Sequence, residues 1–132
     1  MRHVLLTLFI TTIFSTFAHA DHSDREKRDI KKYSYELADL SEELEHRAYD
    51  YGVRRAADRL HREASRLYHL ARREYLRNSF ETSDHSEDRI ERAYRYVEQA
   101  YHRLRSVARN GDNRYLMIRI RITFYKLSRI ID

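Results

Sequence analysis

Apolar residues recur along this chain at three- and four-residue intervals in four separate stretches. That spacing puts side chains on one face of an α-helix, where each residue advances about 100°. Ile30, Tyr33, Leu37, Leu40, Leu44, Ala48 and Tyr51 fall in one sector about 80° wide. Val53, Ala57, Leu60, Ala64, Leu67, Ala71 and Tyr75 form a second stripe, which on a continuous helix would lie about 170° around from the first. The buried face therefore changes at Gly52. Either the chain breaks at Asp50-Tyr51-Gly52 and folds back, or one helix of about 50 residues buries opposite faces in its two halves. Glycine disfavours a helix interior by about 1 kcal/mol and is favoured just past a helix end, and a rod of about 80 Å does not fit one small domain, so the break is preferred.

A polar connector over residues 78–86, with an Asp84-x-x-Glu87 capping box, leads to a third stripe of Ile90, Ala93, Tyr94, Val97, Tyr101, Leu104 and Ala108. Asn110-Gly111 reads as its stop. Asp112 or Asn113 can cap a last segment carrying Leu116, Ile120, Phe124, Leu127 and Ile131 on one face. Ile118, Ile122 and Tyr125 make a second apolar patch on that segment, and the run from Ile118 to Phe124 also alternates like a strand. A strand without a partner elsewhere is unstable, so the segment is read as helix and the patch as extra core or a self-association surface. With a Ser23-x-x-Glu26 capping box at the start, the pattern predicts an all-α, antiparallel four-helix bundle. Its helices are expected at about 24–50, 53–79, 85–109 and 113–131 by these stripes and stops. Three helices with one very long member are the alternative.

Composition supports helix and removes several classes. With 132 residues there is room for one domain; Pro, Cys and Trp are absent and Gly numbers 2, which excludes a disulfide scaffold and a Cys-ligated metal module. The 11 Tyr lie mostly on or beside the stripes, Tyr33, Tyr51, Tyr94 and Tyr101 among them, as core residues with hydroxyls at the rim. Arg2 and His3 precede an apolar run from Val4 to Phe17 that ends in Ala18-His19-Ala20, the pattern of a signal peptide over residues 1–20. That run is short for a membrane span, and the remaining 21–132 is expected to be a single helical domain without a transmembrane helix. No Cys and no Asn-x-Ser/Thr site follow, which fits a secreted, periplasmic bacterial protein.

Charge is unevenly placed. The first helical segment, 21–51, is net acidic, 52–80 net basic, 81–112 slightly acidic and 113–132 basic, an alternation suited to neighbouring antiparallel helices. Arg55, Arg59, Arg62, Arg66, Arg73 and Arg77 lie in one sector about 60° wide opposite the second stripe, a basic ridge for phosphate, carboxylate or lipid head groups. An exported address argues against nucleic acid and for a protein or anionic envelope component.

Catalytic signatures are missing. There is no Cys nucleophile, Gly-x-Ser-x-Gly or P-loop, so neither an enzyme nor a cofactor is expected. Glu43-x-x-His46 and Asp58-x-x-His61 match the Glu-x-x-His element of di-iron bundles but point away from the stripes. Glu42, His46 and Asp50, at four-residue steps, form a weak surface metal candidate. The expected function is a non-enzymatic envelope interaction or stress-related module. An anionic-surface binder using the arginine ridge and the basic last segment, Asn113 to Asp132, against lipid or polyanion is the alternative, and a weak metal binder the third reading.

Overall fold

A computed structural model describes residues 23–76, 84–108 and 113–132, with backbone alone at 84–86. The leader, Arg77, the connector start, the Asp84 capping side chain and the Asn110-Gly111 stop lie outside the described residues. Four helices are present, α1 (Asp24–Arg47), α2 (Tyr51–Leu76), α3 (Asp84–Val107) and α4 (Arg114–Ile131). Helix α1 packs along α2 and α4, and α2 along α3; α3 and α4 close the ring, leaving α2 and α4 on a diagonal. Contacts run in opposite senses along each neighbouring pair. Ala38 meets His61 while Tyr35 meets Tyr68, and Glu36 meets Thr123 while Tyr33 meets Lys126. This is the antiparallel four-helix bundle, and the single long-helix alternative is excluded.

Ser23 opens α1 by accepting from the Glu26 N–H at 3.2 Å, so its hydroxyl satisfies one of the unpaired amides of the first turn. The reversal between α1 and α2 falls earlier than the glycine. Helix α1 stops at Arg47, Ala48 is extended, and Asp50 caps α2 by accepting from the Val53 N–H at 2.9 Å. Gly52 is therefore not a helix stop but part of the first turn of α2, and its φ is not positive. A Cβ there would sit 3.0 Å from the capping carboxylate of Asp50, so glycine leaves the cap its space. The new phase also moves Tyr51 off the first stripe. It is 69% exposed, although the sequence pattern placed it with the core.

Two kinds of joint hold the bundle. In the α1–α2 joint, small buried residues recur every seventh position, Ser34, Ser41 and Ala48 from α1 and its C-cap and Ala57, Ala64 and Ala71 from α2. The Ala38–His61 and Tyr35–Tyr68 contacts place Ser41 level with Leu60 and Ala64 level with Leu37, small against large. The hydroxyls of Ser34 and Ser41 donate to the carbonyls of Ile30 and Leu37, each at 2.6 Å, so these buried polar groups need nothing from α2 and the backbones can approach closely. Between α3 and α4 the space is filled by rings. Phe124 stacks on Tyr101 with centroids 3.9 Å apart and lies near parallel to Tyr94 at 6.2 Å. Leu37, Leu44, Leu60, Leu67, Leu104, Ile120 and Leu127 fill the centre.

Burial pushes the Tyr94 hydroxyl up to about 12, while it donates to Asp132 at 3.2 Å. The unfolded chain ionises this group near 10.0, so its contribution is whole below that pH and is lost as pH climbs toward 12. The loss amounts to about 2 kcal/mol. Tyr101 is shifted in the same direction, also by burial. Denaturant midpoints taken below and above pH 10 are expected to fall on the alkaline side, and Tyr94→Phe is expected to flatten much of that fall.

Candidate anion-binding surface

Helix α2 buries Ala57, Leu60, Ala64, Leu67 and Ala71, and this sets what its other side can carry. The opposite face holds the arginine row. Arg55, Arg59, Arg62, Arg66 and Arg73 are all exposed, and no carboxylate of another helix pairs with them among the described residues. The members nonetheless differ. Arg62 reaches Asp58 at 2.9 Å and Arg66 reaches Glu63 at 3.3 Å, both on the same helix. Such exposed pairs contribute little to stability, but they reduce the field around those two guanidiniums.

Arg55 and Arg59 stand one helical turn apart at the start of α2, beside the last turns of α3. Together with Arg103 they line a groove of about 440 Å³ whose other walls are Tyr51, Gly52, Ala56 and Val107. No carboxylate lines it, and none pairs with any of the three arginines among the described residues. On the α1 side of Arg55 the environment is different. The hollow there, about 320 Å³, includes Glu45 and Asp58. The side facing α3 thus concentrates positive charge, with arginines from two helices and a tyrosine among its walls. Guanidinium groups bind phosphate, sulfate and carboxylate through paired N–H donors, and three in one groove favour an anion over water alone.

Arg103 belongs to α3, where it shares a sector about 60° wide with Arg89 and Arg92, and no wheel of a single helix relates it to the row on α2. Only packing α3 antiparallel to α2 brings it to Arg55 and Arg59. Tyr51 was likewise assigned to the interior by its spacing, and it enters the groove because α1 ends before it.

The remaining candidates do not converge. In the set Glu42, His46 and Asp50, the first two approach at 4.0 Å, but α1 ends at Arg47 and the carboxylate of Asp50 turns to cap α2. The regular ladder expected from the sequence is broken there. No group of three metal-ligating side chains is assembled among the described residues. Glu43 pairs with Arg47 at 2.9 Å, and His61 donates from Nδ1 to the Ala38 carbonyl at 2.9 Å, so the Glu-x-x-His-like elements are engaged within the bundle wall. The ion pairs of Glu42, Glu43, Asp58, Glu63 and Glu98 each join neighbours three or four positions apart on one helix. Ile118, Ile122 and Tyr125 lie on the outer face of α4, exposed.

No family model, curated protein or solved structure matches this chain at a significant level.

Proposed function

We propose that the protein is a non-enzymatic, exported interaction protein of the bacterial envelope that holds an anionic group of its partner in the groove between α2 and α3. The observation that carries this reading is the meeting of Arg55, Arg59 and Arg103 around a groove free of carboxylates. The leader-like residues 1–20 support the exported address, which makes phosphorylated or carboxylated envelope components the relevant class of partner. Arg62, Arg66 and Arg73 extend the positive face beyond the groove and would steer such a partner toward it.

Heparin serves as a polyanion probe. Wild-type protein is expected to bind it with an affinity that falls steeply with salt, because cations on the polymer are displaced on binding. The Arg55→Glu/Arg59→Glu/Arg103→Glu variant is expected to lose most of that affinity and to flatten the salt slope by about 3, roughly one per lost contact. All three positions are exposed, so the helical content should not change. Unchanged binding and slope in the triple variant would overturn the proposal.

A further inference from the structure

Helix α4 has two apolar faces, and only one belongs to the core. Leu116, Ile120, Phe124 and Leu127 point inward and are buried. On the other side Ile118 is 48% and Ile122 50% exposed, flanked by the exposed rings of Tyr115 and Tyr125. These four occupy a continuous outer sector about 80° wide. A contiguous exposed apolar strip rimmed by polar residues marks a surface that meets a protein or a membrane.

Basic side chains surround the strip. Arg114 and Arg121 border one edge and Arg119 and Lys126 the other, with Arg129 between the isoleucines on the helix surface, all exposed. No Asp or Glu occurs between residues 113 and 131. The edge cations fold over the strip's own rings, Arg119 over Tyr115 at 5.7 Å and Arg121 over Tyr125 at 5.6 Å. An apolar strip bordered on both sides by long basic side chains matches a bilayer surface, with apolar groups at the acyl boundary and cations at the phosphates. A second copy fits it poorly, because face-to-face pairing of this helix would oppose like charges along its length. A span is not implied: no helix among the described residues is long and apolar enough to cross a membrane.

We infer that the outer face of α4 docks the bundle onto an anionic lipid bilayer, with Ile118 and Ile122 entering the interface and the flanking arginines and Lys126 meeting lipid phosphates. This inference does not depend on the arginine groove. The two share no residue: the groove is lined by α2 and α3, and the strip lies on α4, which makes no packing contact with α2.

Sedimentation with vesicles of equal parts phosphatidylcholine and phosphatidylglycerol, against pure phosphatidylcholine vesicles, tests it. Wild-type protein is expected in the pellet with the anionic vesicles only, and less of it as salt rises. Arg119→Gln/Arg121→Gln should weaken binding by about fivefold per cation removed. Ile118→Asn/Ile122→Asn should weaken it by at least about tenfold, and since both positions are exposed the helical circular dichroism should be retained. The charge-neutralising groove variant Arg55→Gln/Arg59→Gln/Arg103→Gln should lose less vesicle binding than Ile118→Asn/Ile122→Asn, and a larger loss in the groove variant would overturn the assignment to α4. Failure to bind anionic vesicles, equal binding to both vesicle types, or full binding by the isoleucine variant would overturn it. A dimer that is abolished by Ile118→Asn/Ile122→Asn, with no vesicle binding, would assign the strip to self-association instead.

Discussion

Phe124→Ala is expected to lower the stability of the bundle by about 3–5 kcal/mol, read as a shift in the denaturant midpoint with the slope unchanged. A domain of this size has only about 5–15 kcal/mol in total, so the variant should be close to its unfolding threshold at physiological temperature. The size of the effect follows from what the ring does. Phe124 is buried and stacked between Tyr101 and Tyr94, and few backbone approaches join α3 to α4 beside it. Removing it leaves two tyrosine rings facing a cavity that the wider joint cannot close by small shifts. Phe124→Leu, which restores much of the volume, is expected to recover more than half of the loss. If alanine and leucine were equally tolerated, the ring stack would not be what fills the space between α3 and α4.

Ala64→Leu is expected to destabilise the protein by about 3 kcal/mol, at the upper end of what overpacking costs. Ala64 sits fully buried in the middle of the α1–α2 joint, level with the buried Leu37 of α1. A leucine can be placed only by separating the two helices or by forcing an unfavourable rotamer. The same substitution at Ala93, half-buried on α3, should cost less than 1 kcal/mol, because solvent can receive the extra methyl groups. Thermal unfolding of the two variants side by side checks the contrast. Equal midpoints would mean that the α1–α2 seam is not tightly packed.

The four stripes were legible in the sequence because burial on one face of a helix imposes its period directly on the residues. Ile30, Leu37 and Leu44, or Ile90, Val97 and Leu104, could hardly be arranged otherwise and remain covered. The position of the reversal was read less well. Gly52 drew the boundary to itself as a presumed stop, whereas the informative residue was Asp50, three positions before Val53 and able to cap the helix that follows. That displacement of about one turn carried Tyr51 from the expected core to the surface, and it removed Asp50 from the ladder with Glu42 and His46.

The arginine row could be read from α2 alone, since all its members share one wheel. Its division could not. Whether a given guanidinium is paired depends on local carboxylates, so Arg62 and Arg66 are answered by Asp58 and Glu63. Arg55 and Arg59 instead acquire a third cation, Arg103, through helix packing that no periodicity within one segment records. The serines of the α1 seam are a similar case. As single polar residues in an apolar stripe they look misplaced, and only their bonds to Ile30 and Leu37 explain how they are buried without penalty.

A titration of isotope-labelled protein with a short heparin fragment, followed residue by residue in amide and arginine side-chain spectra, tests the anion-binding proposal most directly. Saturable shifts are expected to centre on Tyr51, Arg55, Arg59 and Arg103, with Arg62 and Arg66 responding less and the outer face of α4 little. Shifts spread evenly over all exposed cations, or an arginine groove that stays silent while another surface responds, would contradict it.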